Sequence, residues 1–288
     1  MPISSIRSLG YLGPRGTFSD QAAQAYRETA TLHPYLTFGE ILAALMSSEI
    51  DAALLPIENS TDGPVQEVLD GLIRFEELVI VSETILPVEQ NLIGVAGASL
   101  DTITAVVSIP IVLAQTRGWL EKNLPAAERR ATTSTARAVE LLDDAHPEIA
   151  AIGTSTAAEI YGRTVLASAI QDKKDNVTRF VMLMRKPCPV TQSTGNDRTT
   201  LIAAIPDTPG SLVRVLNVFD ALSVNMNKIE SRPRGVSGHP ALFREAIFHI
   251  EIDGHQDDPV IQVALQAVAG KCDYLRIAGS YPVAPLPG

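Results

Sequence analysis

The chain is poor in cysteine, with only Cys188 and Cys272 among its 288 residues. Two cysteines cannot build the disulfide framework of a small secreted protein, so a reducing compartment is the simpler interpretation. The N-terminal residues Met1–Arg7 lack the apolar stretch of a signal peptide. No apolar run reaches the roughly 20 residues that a membrane-spanning helix needs. We therefore predict a cytoplasmic protein with no membrane partner.

Sequence motifs for metals and nucleotide cofactors are missing as well. The five histidines show no pairing at metal-ligand spacing, and neither CxxC nor HExxH occurs. No GxGxxG follows the first predicted strand, and GxxxxGK[ST] and GxSxG are absent. We therefore expect no metal site and no cofactor, which leaves either cofactor-free chemistry or a binding role without chemistry.

Basic residues are fewer than acidic ones, 23 against 33, which gives a formal net charge of −10. Proteins that bind nucleic acid need a basic face, so we predict no nucleic-acid partner. An acidic chain also repels anions at long range, so an anionic substrate has to be held by local groups. Hydrophobic residues make up 45% of the chain, enough for a substantial core.

The first 186 residues alternate short apolar strands with amphipathic helices, which is typical of an α/β layered fold. The segment Ser82–Val95, with Pro87 inside it, is a candidate crossover between two lobes, and residues 165–180 are a candidate return. We predict one lobe from residues 1–85 and 165–186 and the other from residues 86–164. The predicted strands of this domain are Ser8–Leu12, Ala52–Ile57, Leu78–Val81, Leu92–Val95, Ile103–Val107, Ile149–Ile152 and Arg179–Met184.

A turn-rich polar stretch at residues 187–197 is typical of a linker. Beyond it the predicted elements follow the order βαββαβ, which indicates a small ferredoxin-like domain over residues 198–288. Its predicted elements are strand Thr199–Ile205, helix Gly210–Ala221, strand Val224–Glu230, strand Ala246–Ile252, helix Pro259–Ala269 and strand Tyr274–Ala278.

The most informative motif is Asn176–Phe180, directly before the apolar run Val181–Met184. It places a hydroxyl, a permanent cation and an aromatic ring side by side at the mouth of a buried strand. Such a cluster suits a small anionic ligand that contains a ring.

Polar turns upstream have the same strand-to-helix character, and α/β sheets bind ligands at the carboxyl ends of their strands. Each turn could equally do no more than cap a helix. We predict Thr17 as an N-cap with Asp20 three residues later, and Pro64 as the first residue of a helix. If Ser108 lies beside an N-cap, Gln115 seven residues later faces the same way.

Together these motifs resemble those of the prephenate dehydratases, which convert prephenate to phenylpyruvate in phenylalanine biosynthesis. The matching segments are Gly13–Ser19, Leu55–Ser60, Ser108 with Gln115, Ser134–Ala136 and Asn176–Phe180. Downstream, Pro209–Val213, Lys228–Pro233 and Gly279–Pro282 resemble the signatures of the attached ACT regulatory domain. The resemblance covers nearly the whole chain, in the order in which the family has these motifs.

The resemblance implies a two-lobed catalytic domain like the type II periplasmic binding proteins, with the active site in the cleft. It also implies ACT domains that pair in a homodimer or homotetramer, and Thr178 as the residue that assists hydroxyl departure. The implied substrate-binding residues are Thr17, Phe18, Glu58, Asn59, Ser60, Ser108, Gln115, Ser134, Thr135, Arg179 and Phe180. The implied site for L-phenylalanine as effector comprises Gly210, Ser211, Leu212, Val213, Asn225, Glu230, Ser231 and Arg232.

Arg179 can bind a carboxylate through two hydrogen bonds, and we predict that it grips the pyruvyl carboxylate of prephenate. Thr178 and Arg179 face opposite ways in a regular strand, so both reach one ligand only if the backbone there is irregular. For Phe180, packing in the core is favoured over stacking on the substrate.

Two residues depart from the family pattern: Ile109 stands where a histidine is common, and Ser211 where alanine is usual. The first puts a histidine contribution to catalysis in doubt, and the second could alter effector affinity. Two other functions stay open at this point. One is an arogenate dehydratase, and the other is a non-catalytic protein that binds and senses an amino acid.

Overall fold

The computed structural model describes residues 6–189, 191–232 and 246–286, which form three β-sheets. The first sheet contains β1 (Ser8–Leu12), β2 (Thr31–Tyr35), β3 (Ala52–Asn59), β4 (Gly63–Pro64), β5 (Leu78–Pro87) and β11 (Val177–Arg185). Its strand order is β2-β1-β3-β11-β5, with β4 paired to β3. Its helices are α1 (Phe18–Ala23), α2 (Phe38–Met46) and α3 (Gln66–Arg74). We call this unit the first lobe.

The second sheet contains β6 (Asn91–Gly94), β7 (Ala105–Ser108), β8 (Glu128–Ala131), β9 (Ile149–Gly153) and β10 (Thr164–Ala167), in the order β10-β6-β9-β7-β8. Its helices are α4 (Pro110–Gln115), α5 (Arg117–Asn123), α6 (Thr135–Glu140) and α7 (Ser155–Ile160). We call this unit the second lobe. The chain passes between the two lobes twice, from β5 to β6 and from β10 to β11.

The third sheet contains β12 (Asp197–Ile205), β13 (Met226–Arg232), β14 (Ala246–Asp253) and β15 (Tyr274–Pro282), in the order β13-β14-β12-β15. Every neighbouring pair in it is antiparallel. Helices α8 (Ser211–Ala221) and α9 (Pro259–Ala269) cover one face through an apolar core that includes Val215, Phe219 and Ile261. The predicted βαββαβ order is confirmed, as is the two-lobed α/β unit that precedes it.

The opposite face of the third sheet packs on the first lobe. Ile202, Ile247 and Tyr281 belong to the same apolar core as residues of α2, α3 and β3. The two backbones approach closely at Gly279, where a Cβ atom would lie 2.3 Å from the carbonyl oxygen of Ile80. Only glycine fits at this position without displacing one sheet from the other.

Two local predictions are wrong, and strands β2, β4 and β8 were not predicted. Strand β10 pairs with β6 in the second sheet, although residues 165–186 were assigned to the first lobe. Pro64 lies in β4 and α3 begins at Gln66, because the Val65 N–H donates to the Ile57 carbonyl and holds this segment against β3. Strand β8 was missed because all four of its side chains are exposed, so it has no apolar pattern.

His249 makes stability depend on pH. Its side chain is buried in β14, and burial, reinforced by the charge of Lys228, lowers its pKa to about 3. The unfolded chain takes up this proton near pH 6.5, so the free energy of unfolding should fall as the pH drops from about 6.5 towards 3. From pH 7 to pH 5 the wild type should lose about 2 kcal/mol more than His249→Phe, measured by denaturant unfolding. The exposed His146→Gln variant is the control, and equal pH dependence of wild type and His249→Phe would contradict the prediction.

Candidate functional site

A cleft of about 340 Å³ lies between the two lobes. It is lined from the first lobe by Leu12, Gly13, Thr17, Phe18, Ser19, Leu36, Asn59, Asp62 and Thr178. The crossover and the second lobe add Val88, Gln90, Ile109, Ile111, Val112, Gln115, Thr133, Ser134 and Thr135. The cleft therefore combines apolar side chains with neutral hydroxyl and amide groups from polar turns that are distant in sequence.

Three helices begin at this cleft. Thr17 caps α1 by accepting a hydrogen bond from the Asp20 N–H, and Ser134 caps α6 by accepting one from the Arg137 N–H. Helix α4 starts at Pro110, with Ile109 as an N-cap that has no side-chain hydrogen bond. First-turn N–H groups that no cap accepts from can supply neutral donors to an anion, although Pro110 has no N–H and the Val112 N–H donates to the Ile109 carbonyl.

Direct contacts close the two lobes on each other at one side of the cleft. The Thr154 hydroxyl of the second lobe donates to the Gly16 carbonyl of the first at 2.6 Å. Gly16 has a φ of +86°, and a Cβ atom there would lie 3.0 Å from Ala157. A side chain at position 16 would therefore be strained and would push the lobes apart.

Asn59 and Thr178 meet in the cleft because the end of β3 pairs with the start of the antiparallel β11. The Asn59 Nδ2 atom donates to the Thr178 Oγ1 atom at 2.9 Å. The Asn59 Oδ1 atom accepts from the backbone N–H groups of Thr61 and Asp62, at 2.9 and 3.1 Å, which fixes the orientation of the amide. Since the Thr178 oxygen already receives a hydrogen bond, its own proton is free to be donated to another group.

Gln115 and Asp62 connect the lobes across the cleft. The Gln115 Nε2 atom donates to the Asp62 Oδ2 atom at 2.7 Å, and the Gln115 Oε1 atom lies 3.4 Å from Gln90 Nε2. Asp62 is the single charged residue among the described residues that line the cleft. The sequence analysis named neither Gln90 nor Asp62 as a site residue. Their one signal was a polar side chain beside a predicted turn or crossover.

Arg179 lies on the opposite face of β11, away from the cleft. Its side chain is 10% exposed, and its guanidinium donates to Glu83 at 3.0 Å and to both oxygens of Glu251 at 2.8 and 2.9 Å. It also contacts Glu58 at 3.1 Å. The prediction that Arg179 grips a substrate carboxylate is therefore wrong. Successive strand residues face opposite ways, and the irregularity in register falls after Arg179, between it and Phe180.

Four further predicted substrate contacts lie outside the cleft. Glu58 points with Arg179 towards the third sheet. The Ser60 hydroxyl donates to Asn176 and accepts from the Val177 N–H, so it ties β3 to β11. Ser108 ends β7 directly beside the N-cap Ile109, as predicted, but its buried hydroxyl donates to the Ile152 carbonyl instead of facing Gln115. Phe180 is 1% exposed and packs in the core.

The residues predicted to bind phenylalanine do not form one pocket within the chain. Gly210, Ser211, Leu212 and Val213 line a depression of about 180 Å³ at the start of α8. Elsewhere on the third sheet, Asn225 bonds to Asn227 and Asp253. Glu230 and Arg232 face the first lobe, where they contact Gln66 and Asp70. Ser231 alternates with them on β13, and Pro233 lies outside the described residues.

Two properties of the described residues bear on function. No group of three or more His, Cys, Asp or Glu side chains there is arranged to hold a metal ion. None of the helices found in these ranges is long and apolar enough to cross a membrane.

Comparisons with known proteins agree on one family. The family model described as prephenate dehydratase matches residues 9–188. A prephenate dehydratase of Amycolatopsis methanolica is 35% identical over 274 residues, which cover 95% of this chain and 88% of that protein. The crystal structure of prephenate dehydratase from Arthrobacter aurescens in complex with L-Phe is 35% identical, with a TM-score of 0.86 over 96% of this chain and 90% of that one.

A third similar structure, GqqA, is described as a novel type of quorum quenching acylase. It is 28% identical, with a TM-score of 0.86, and covers 97% of this chain and 99% of its own. The family model and the relatives named prephenate dehydratase together show that this chain belongs to the prephenate dehydratase family of lyases.

Proposed function

We propose that this protein converts prephenate to phenylpyruvate in the cleft between its lobes, with Thr178 as the catalytic residue. The observation that carries the proposal is the hydrogen bond from Asn59 to Thr178, which leaves the Thr178 proton free at the cleft surface. In the reaction the ring carboxylate leaves as CO₂, and its bonding electrons enter the ring. The ring hydroxyl leaves and takes a proton to become water.

Thr178 assists the departure of the hydroxyl as a hydrogen-bond donor. A threonine hydroxyl is a very weak acid, so it relays or shares a proton rather than surrendering one at the start. General acid assistance is typically worth about 10²–10⁴-fold in rate. The formation of an aromatic ring makes the overall reaction favourable.

Neutral donors hold the pyruvyl carboxylate of the substrate, and no cation among the described lining residues can pair with the ring carboxylate. The described lining residues include no Lys, Arg or His, so the donors are neutral ones such as the Ser134 hydroxyl, the second N–H of the Gln115 amide and uncapped first-turn N–H groups. Such donors bind a carboxylate without neutralising it. The departing ring carboxylate therefore gains no strong ground-state stabilisation from an ion pair.

The apolar side of the cleft suits the ring carboxylate. Phe18, Ile109, Ile111 and Val112 give it a surface with few hydrogen-bond partners. Loss of hydration there favours release of CO₂. Ile109 occupies the position at which the family often has histidine, so the proposed mechanism uses no histidine at this point of the site.

Arogenate is the second candidate substrate. It carries an amino group where prephenate has a keto group. Asp62, the one charged residue among the described lining, would pair with an ammonium and repel an anion. We expect Asp62→Asn to change the ratio of kcat/KM for the two substrates by up to about fivefold in favour of prephenate, since an exposed ion pair is worth up to ~1 kcal/mol. Steady-state kinetics with both substrates at low salt measure this ratio. An unchanged ratio would show that Asp62 does not discriminate between the two substrates.

Acyl transfer, the chemistry named for GqqA, has less support in this cleft. It requires a nucleophile activated by a base within hydrogen-bond reach. No histidine, lysine or cysteine lies among the described lining residues, and the Ser134 hydroxyl already caps α6. Dehydration needs no such pair.

The C-terminal βαββαβ domain, residues 198–288, is proposed as an ACT domain that binds L-phenylalanine between two copies of the chain, in a homodimer or homotetramer in the cytoplasm. The related structure from Arthrobacter aurescens, which contains L-Phe, supports the choice of effector. Val213 and Ile229 are 56% and 41% exposed beside the two regulatory motifs, which suits burial against a second copy.

The proposed function is tested by incubating purified protein with prephenate and following the absorbance of phenylpyruvate, with and without L-phenylalanine. We expect turnover without added metal or cofactor, and less turnover when phenylalanine is present. Binding of prephenate without any phenylpyruvate would instead favour the non-catalytic sensor. An unchanged rate at saturating phenylalanine would remove the regulatory part of the proposal.

A further inference from the structure

Two dipeptides at the cleft each have one residue on either side of the first sheet. The dipeptides are Glu58-Asn59 and Thr178-Arg179. Asn59 and Thr178 form a hydrogen bond with each other and line the cleft. Glu58 and Arg179 bond to each other on the opposite side, facing the third sheet. Since each pair is adjacent along the backbone, a displacement of Glu58 or Arg179 also displaces the residues in the cleft.

The opposite side holds what we call the interdomain charge cluster. It consists of three cations and three carboxylates, so its formal charge balances: Arg179, Arg198, Lys228, Glu58, Glu83 and Glu251. The side chains of Glu83 and Glu251 are 0% and 4% exposed. Buried ion pairs keep their side chains in fixed positions, because moving one partner away leaves the other charge buried and uncompensated.

Half of this cluster comes from the third sheet. The Lys228 Nζ atom of β13 donates to Glu58 Oε2 at 2.7 Å, and Arg198 of β12 donates to Glu83 at 2.8 Å. Glu251 of β14 accepts two hydrogen bonds from Arg179. Burial acts to raise the pKa of Glu58, but Lys228 and Arg179 outweigh it and keep that pKa below its ordinary value. Glu58 is therefore ionised at neutral pH, as the contact with Lys228 requires.

We propose that Lys228 and Glu251 are positioning residues for the dehydration reaction, and that the third sheet holds the Asn59–Thr178 pair in its productive geometry through Glu58 and Arg179. The inference rests on the proposed function of the cleft. Its physical basis is the sensitivity of catalysis to orientation, since a misplacement of about 1 Å can cost 10²-fold in rate. The C-terminal domain thereby contributes to turnover even without an effector.

Lys228→Met tests the inference in the full-length protein, because it keeps the length of the side chain and removes the charge. The matched control is Asp70→Asn, which weakens another ion pair between β13 and the first lobe, that of Arg232 with Asp70 on α3. We expect Lys228→Met to lower kcat by about tenfold with KM changed less than twofold, and Asp70→Asn to leave kcat within twofold of wild type. Lys228→Arg should restore most of the lost kcat.

A second measurement separates this inference from the assignment of the reaction. Hydrogen exchange followed by mass spectrometry should show faster exchange in peptides that cover residues 54–60 and 176–182 in Lys228→Met than in Asp70→Asn. If Lys228→Met shows faster exchange but the wild type does not act on prephenate, the proposed function is overturned. The structural coupling between the third sheet and the Asn59–Thr178 pair is then retained. Unchanged exchange and kcat in Lys228→Met, or equal losses of kcat in both variants, would overturn the inference itself.

Discussion

Replacing Thr178 with valine is expected to lower kcat by about 10²–10⁴-fold with little change in KM. Valine keeps the shape and β-branching of threonine and removes only the hydroxyl. The substrate then loses the donor that assists its departing hydroxyl, while the groups that bind its carboxylates remain. Steady-state kinetics with prephenate, together with the melting temperature of the variant, measure the effect.

Two companion variants give this experiment its controls. Thr178→Ser retains the hydroxyl and should keep kcat within about tenfold of wild type. Asn59→Asp replaces the Nδ2 donor with an acceptor, so the Thr178 proton would turn towards the new carboxylate and kcat should fall as well. A Thr178→Val enzyme with near-normal kcat would show that another group assists the departing hydroxyl.

Replacing Arg179 with methionine is expected to destabilise the fold by about 3–5 kcal/mol. Arg179 is largely buried between three carboxylates, and its removal leaves Glu83 and Glu251 to share the single positive charge of Arg198 within the cluster. Burial acts to lower the pKa of Arg179, but Glu251 and the neighbouring acids raise it above its ordinary value, so the guanidinium stays charged. Chemical denaturation at pH 7 measures the loss.

Arg185→Met is the control for this variant, because Arg185 lies at the end of the same strand and its guanidinium donates to Ser48 in an exposed pair. Its cost should stay below about 1 kcal/mol. Combining Arg179→Met with Glu251→Gln should recover part of the stability, since the second change removes one of the uncompensated charges. An Arg179→Met protein of normal stability but raised KM would instead place Arg179 in the substrate site.

Regular apolar patterns allowed several elements to be predicted from the sequence with the bounds that the structure has. Strand Ser8–Leu12 and helix Pro259–Ala269 are examples. Strand β8 could not be predicted, because its Glu-Arg-Arg-Ala side chains are all exposed and only pairing with β7 makes it a strand. Strand β10 has a weak pattern of the same kind, and its place in the second sheet follows from pairing with β6.

Some residues of the site could also be placed from the sequence, and others could not. Asn59 and Thr178 were recognised by family motifs, and the structure brings them within hydrogen-bond distance. Glu58 and Arg179 belong to the same motifs, yet they contact the third sheet. A motif specifies which residues stand together in sequence, but the pleat of a strand sends neighbouring residues to opposite faces.

By itself, the sequence determined the family, the order of the elements and the hydroxyl and amide groups that meet in the cleft, because these follow from local patterns and short motifs. Only the tertiary structure decided the role of the charged residues beside them. The partner of Arg179 is Glu251, 72 residues further along the chain, and a pairing at that separation depends on how the third sheet packs against the first. Charges have to be compensated where they are buried, and burial is a property of the packed molecule.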